Sequence, residues 1–267
     1  MSRLGDQFAL LRQRGEKALV CFVTAGDPSP EDTVSIVRAL DHAGADVVEI
    51  GIPFSDPLAD GPSIQAASQR ALEAGMTTRK VLRIVREIRE YCPKLPIVLM
   101  TYINPILHYG LAAWAADAAD AGADAHIVTD LTPEESDDWV RISKASGLDT
   151  IFLLAPTSTP ARIDAAAARS TGFIYCVSRT GVTGARQDVP VELTDVVSGI
   201  KGRSRLPICV GFGVSQTEHV RTICAFADGV VVGSALVDLV HAHADDPNLL
   251  LLVHNYALAL KEATAPR

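Results

Sequence analysis

Short, near-continuous apolar runs rich in β-branched residues recur along the whole chain, at 18–24, 46–51, 97–102, 125–129, 150–154, 173–177, 208–211 and 228–232. A strand with one wet face alternates apolar and polar residues; a continuous run predicts a parallel strand covered on both faces. The segments between them carry a helical period instead. Over 79–91, Val81, Leu82, Ile84, Val85 and Ile88 form an apolar stripe, while Arg83, Arg86, Glu87, Arg89 and Glu90 are left for solvent. Pro30, Pro133 and Pro160 stand near helix starts, and the repeated Ala-Gly-Ala-Asp of 43–46 and 121–124 puts glycine at a helix end just before a strand.

Eight strands alternating with helices in 267 residues match the count and length of a (β/α)8 barrel, read as one domain over 1–267. A doubly wound open sheet is the rival, weakened because no G-x-G-x-x-G follows the first strand. The stretch 199–206 reads as a loop rather than a domain boundary.

Composition narrows the class. A chain 48% hydrophobic with 19 Gly and 15 Pro is neither disordered nor collagen-like. Its 24 basic and 32 acidic residues give a net charge of -8, which disfavours nucleic acid. An anionic small molecule stays possible, because backbone amides hold phosphate without net positive charge. Cys21, Cys92, Cys176, Cys209 and Cys224 form no C-x-x-C pair, and three of them lie in apolar runs, as expected of reduced core thiols. Residues 1–15 lack the apolar stretch of a secretory signal, and no run approaches the ~20 residues of a membrane span. A cytoplasmic protein without membrane contact is expected.

In a barrel, chemistry belongs at the C-terminal strand ends and the loops beyond them. The second strand carries Glu49 amid Val47, Val48 and Ile50, then enters a proline-punctuated loop that ends in Asp60-Gly61-Pro62. A carboxyl buried in such a strand loses hydration, which raises its pKa toward neutrality and lets it both take and give a proton. Asp60 would face the same mouth. The structural alternatives are a buried ion pair for Glu49 and a helix cap for Asp60. None of the six lysines ends a strand, so imine chemistry lacks its amine. His126 is the only histidine inside a strand, and His241-x-His243 has diverging side chains on a helix, so no metal spacing is present. Carboxylate acid–base chemistry remains.

Gly211-Phe212-Gly213 and Val232-Gly233-Ser234 close the seventh and eighth expected strands. Glycine turns there, with the N-terminus of a short helix, form the phosphate cradle of many barrels. The polar loop 178–188 suits a lid, and Tyr175 inside the sixth strand needs a polar partner for its hydroxyl.

These residues, in this order, resemble the tryptophan synthase alpha subunit family: VTAGDP at 23–28, EIGIPFSDPLADGP at 49–62, TYINPILHYG at 101–110, SRTGVTG at 178–184, GFG at 211–213 and VGS at 232–234. The resemblance implies a barrel with extra helices that cleaves indole-3-glycerol phosphate, by a retro-aldol step, to indole and glyceraldehyde 3-phosphate without a cofactor. It implies Glu49 as acid–base, Asp60 as the carboxylate facing the indole N–H and Tyr175 as a neighbouring hydroxyl. Phe22, Ile64, Met100, Ile127, Leu153 and Phe212 would line an indole slot. Gly184, Gly213, Gly233 and Ser234 would hold phosphate, with Thr183 in the lid. It also implies an alpha2beta2 heterotetramer with a beta subunit that carries pyridoxal phosphate, docked near Asp56, Pro57 and Asn104-Pro105. Thr132 and His126 depart from the family's usual residues. A stand-alone lyase that releases indole, a non-catalytic regulatory partner and another phosphosugar barrel are the competing readings.

Overall fold

The computed structural model describes residues 2–177, 192–211 and 213–265. Nine parallel strands form one sheet: β1 (Ala18–Thr24), β2 (Val47–Gly51), β3 (Ile97–Thr101), β4 (Ala125–Val128), β5 (Asp149–Ile151), β6 (Leu153–Leu154), β7 (Ile174–Val177), β8 (Ile208–Gly211) and β9 (Gly229–Val232). The fifth expected strand is therefore two short ones broken at Phe152. The sheet runs β5-β4-β3-β2-β1-β9-β8-β7-β6, so both of its ends belong to that one segment. The Tyr175 amide donates to the Phe152 carbonyl at 3.1 Å, and the ring closes across the break. Strands of a closed barrel are staggered, so this segment changes neighbour from β4 to β7 as it climbs. The expected (β/α)8 barrel is the observed architecture, and the open-sheet rival is excluded.

Helices cover the outside: α2 (Pro30–His42) after β1, α3 (Pro62–Glu73) and α4 (Thr78–Tyr91) after β2, then α5 (Ile103–Tyr109) and α6 (Leu111–Ala121) after β3. They continue with α7 (Asp137–Ala145), α8 (Pro160–Arg169), α9 (Glu192–Lys201), α10 (Thr217–Cys224), α11 (Ser234–Ala242) and α12 (Leu249–Glu262). Pro30 and Pro160 do open helices, whereas Pro133 opens only the 3-10 turn Pro133–Glu135. Gly44 and Gly122, in the repeated Ala-Gly-Ala-Asp, adopt φ of 90° and 97°, a left-handed turn that a side chain would strain. Three residues of the expected loop 199–206 belong instead to the last turn of α9.

Strand alternation sorts the core into two clusters. Leu19, Cys21 and Val23 face outward to the helices, while Ala18, Val20 and Phe22 face the barrel axis. The inner cluster is completed from below by Leu4, Phe8 and Leu11 of α1 (Arg3–Arg14). The Phe8 ring lies 5.7 Å from that of Phe173. This extra helix lies across the N-terminal strand ends. Ser2 bonds Asp149, Arg3 pairs with Asp124, and the Gln7 amide donates to Asp46 at 2.9 Å.

Aspartates fix the same end of the barrel. Asp46, Asp124 and Asp228 accept the backbone amides of Leu19, Ile97 and Ile208 at 2.8, 2.8 and 3.1 Å. Each stands just before its strand and ties it to a neighbour, which is why the strands expected from 46 and 228 start one residue later. Asp46 is further paired with Lys261 at 2.7 Å, and Asp124 with Arg89 at 2.7 Å.

His126 faces outward from β4 between the rings of Trp114 and Trp139, at 5.7 and 5.0 Å. Among the described residues neither ring nitrogen has a hydrogen-bond partner, and burial pushes its pKa down to about 3. It fills a slot between the sheet and α6 and α7 as a neutral aromatic. Unfolding frees it to bind a proton below its ordinary value of 6.5, so stability falls as pH drops through that value. Urea melts are expected to lose up to about 1.4 kcal/mol per pH unit between pH 6 and 4. In His126→Phe, that part of the acid sensitivity disappears; an unchanged pH dependence would place the titrating group elsewhere.

Candidate active site

The C-terminal end of the barrel, its mouth, is lined by inward side chains of the inner cluster. Phe22 from β1, Met100 from β3, Ile127 from β4 and Tyr175 from β7 belong to the inner cluster, with Ile64 of α3 and Leu153 of β6 partly buried against it. Five of the six residues expected to line an indole slot, Phe22, Ile64, Met100, Ile127 and Leu153, thus come from five separate elements. Two strand-end glycines make space for its rings. A Cβ at Gly51 would fall 2.4 Å from the Phe22 ring, and one at Gly211 would fall 2.2 Å from the Tyr175 hydroxyl.

Glu49 pairs in register with Phe22 of β1 and Val98 of β3, so its side chain shares their inward face. It is 1% exposed, and neither carboxyl oxygen has a hydrogen-bond partner among the described residues. Among the described residues no ion pair holds it, so the structural alternative finds no support there. Desolvation raises its pKa to about 8.

Asp60 is 7% exposed, and it does not cap α3. Gly61 occupies the N-cap position and no side chain bonds the first turn. The Asp60 carboxylate instead accepts the Tyr102 hydroxyl at 3.0 Å, its amide donates to Pro57 at 3.0 Å, and its carbonyl accepts the Gln65 amide at 2.8 Å. Burial raises its pKa to about 6 against the lowering effect of the Tyr102 bond. The Tyr175 phenol is raised by burial first, then by the negative charges of Glu49, Cys209 and Asp60. Glu49, Asp60 and Tyr175 therefore share one electrostatic neighbourhood.

The glycine turns lie beside the slot. Gly233 is the N-cap of α11, and a Cβ there would meet Phe22 and Ile64 at 3.7 and 3.8 Å. Ser234 opens that helix, whose first turn has no side-chain cap among the described residues; the Leu236 and Val237 amides donate to the Gly233 carbonyl, which leaves those of Ser234 and Ala235 for an anion. Gly213 adopts φ of 81° with open space at its Cβ position. Thr183, Gly184, Phe212 and the loop 178–188 lie outside the described residues. Among the described residues, no three His, Cys, Asp or Glu side chains are grouped to hold a metal ion. Tyr102 and Gln65 were not singled out from the sequence. The strand-end rule that selected Glu49 could have found Tyr102, one residue past β3, whereas Gln65 carries no signal beyond its place on α3.

Residues 8–264 match the family described as tryptophan synthase alpha chain. The chain belongs to that family. It is similar to the tryptophan synthase alpha chain of Citrifermentans bemidjiense, 50% identical over 262 residues, covering 98% of this chain and 97% of that one. Against that of Solibacter usitatus it is 45% identical over 267 residues, with 100% of both chains covered. Among solved structures, it superposes on a chain of Mycobacterium tuberculosis tryptophan synthase with a TM-score of 0.91 at 37% identity, covering 100% of this chain and 99% of that one. Tryptophan synthase subunit alpha from Legionella pneumophila gives 0.90 at 36% identity, covering 99% and 98%. As a member of this family, the chain is an enzyme, a lyase of tryptophan biosynthesis.

Because the Tyr175 hydroxyl occupies the space beside Gly211, Gly211→Ala is expected to displace the phenol. Overpacking of this kind costs about 1–3 kcal/mol. Thermal melts should show that loss together with at least a tenfold drop in lyase turnover; wild-type values in both would mean the ring moves freely.

Proposed function

We propose that this chain cleaves indole-3-glycerol phosphate to indole and glyceraldehyde 3-phosphate, with Glu49 as acid–base and Asp60 as the charge-stabilising carboxylate. The observation that carries the assignment is the desolvated Glu49 carboxyl in the mouth, without a hydrogen-bond partner among the described residues, whose pKa of about 8 leaves it protonated at neutral pH. A protonated Glu49 gives its proton to indole C3, forming an indoleninium cation. The carboxylate so formed takes the proton of the adjacent side-chain hydroxyl. As that O–H bond breaks, a C=O bond forms, the C–C bond breaks and its electron pair returns to the indole ring. Glu49 ends protonated, as it began, and no cofactor enters the cycle. Asp60, with a pKa of about 6, is ionised at neutral pH and would accept the indole N–H as positive charge develops.

In this reading Phe22, Ile64, Met100, Ile127, Leu153 and Phe212 surround the indole, and Tyr175 lies beside the two carboxylates. The Gly213 turn and the Gly233-Ser234 helix start receive the phosphate, with Thr183 and Gly184 completing the site. Supporting a beta-subunit partner, apolar surface is exposed on the loop and helix that flank the mouth: Leu58 is 87% exposed and Leu107 55%. Asp56 and Asn104 are exposed beside them. We read this rim as the docking side of a heterotetramer whose beta subunit carries pyridoxal phosphate.

Glu49→Gln is expected to abolish indole release while a glycerol-phosphate analogue of the substrate still binds, since shape and amide contacts survive. The same variant should be more stable at neutral pH. Folding shifts the Glu49 pKa from 4.5 to about 8, so the folded state must take up a proton at pH 7. That uptake costs about 3 kcal/mol, is absent below pH 4.5 and grows until pH 8. Wild-type turnover in the variant would remove Glu49 from the reaction. The kcat/KM for indole release should follow a bell, lost below about pH 6 as Asp60 protonates and above about pH 8 as Glu49 loses its proton. A profile flat across that window would exclude the assigned protonation states.

A further inference from the structure

Tyr102 follows β3 directly and is buried at the mouth, 5% exposed. Its phenol oxygen accepts the Ala59 amide at 2.9 Å, and its hydroxyl donates to Asp60 Oδ2 at 3.0 Å. A phenol has a single proton. With the Ala59 amide bound to the oxygen, that proton is directed to the carboxylate. The Tyr102 ring also lies against Phe54, earlier in the same loop, with centroids 5.1 Å apart. One side chain from the third strand thus grips the loop after the second at Phe54, Ala59 and Asp60. Asp60 Oδ1 accepts no hydrogen bond from a described residue.

We propose that Tyr102 is a positioning residue for the lyase reaction: its hydroxyl engages one oxygen of Asp60 so that the other is presented, ionised, to the substrate. This rests on the reading of Asp60 given above. Tyr102 differs from Gln65, which holds only the Asp60 carbonyl and so fixes the backbone without touching the carboxylate. The Asp60 charge bears on the Tyr175 phenol, while at Asp60 itself the Tyr102 hydrogen bond is what opposes the effect of burial. The Tyr102 bond is therefore the contact that favours the charged form.

Tyr102→Phe retains the ring against Phe54 and removes only the hydroxyl. It is expected to lower kcat for indole release by about ten- to a hundredfold, with KM changed by less than about threefold. Carbon-13 NMR of the Asp60 carboxyl in the unliganded full-length variant should show a higher titration midpoint than in the parent chain. A folded variant with unchanged kcat and unchanged midpoint would overturn the proposal. Asp60→Ala tests the underlying reading separately: wild-type turnover there would remove Asp60 from the reaction, whereas its loss, with Tyr102→Phe silent, would reject positioning alone. Should Tyr102→Phe not fold, site-specific fluorotyrosine at 102 supplies a stronger donor. The Asp60 midpoint should then fall, and a midpoint that stays or rises rejects the role.

Discussion

Glu49 is held out of water on the inner face of a closed barrel, with no cation and no hydrogen-bond donor to offset the loss among the described residues. Strand geometry leaves it no way out. Reversing the direction of a strand residue means slipping the register, which would turn Val47 and Gly51 outward as well. The carboxyl therefore stays neutral where a solvated glutamate would be charged, and it can donate a proton before it accepts one. The remainder of the mouth follows from that condition. Apolar walls surround the site, α1 covers the far end, and at the buried Asp60 a phenol hydrogen bond opposes the effect of desolvation.

The two carboxyls show how small differences of setting separate roles. Both are nearly buried, and desolvation raises both. Among the described residues Asp60 has a hydroxyl donor and Glu49 has none, and that contact helps to place one on each side of neutrality. An acid and an anion are obtained from the same functional group, with no lysine, histidine or metal ion required by the proposed cycle. The opposite end of the barrel is tied by aspartates that bond backbone amides and basic side chains.

Much of this was legible in the chain. Continuous apolar runs located all eight barrel positions, since buried parallel strands leave an unbroken signature, and Glu49 stood out as a charge inside one of them. The break at Phe152 was not legible, because the change of neighbour comes from ring closure and leaves no local mark. Strand starts at 46 and 228 were placed one residue early for a related reason: Asp46 and Asp228 precede their strands and bind adjacent amides, a role that hydrophobic pattern does not encode. His126 reads from sequence as one stray histidine. Its seat between two tryptophans depends on α6 and α7 folding back over β4. Gln65 was missed because a helix-surface amide becomes informative only when its acceptor is seen.

The seam at Phe152 has a bearing on how the cylinder comes apart. Elsewhere each staff of the cylinder is hydrogen-bonded along one continuous stretch, but here three residues lean one way and two lean the other. The join has three pairs to β4 and two to β7, as few as β8 has with β9, and opening it would part Leu153 from Tyr175, which face each other across it at the mouth. Breathing of the scaffold and widening of the reaction chamber would then be a single motion.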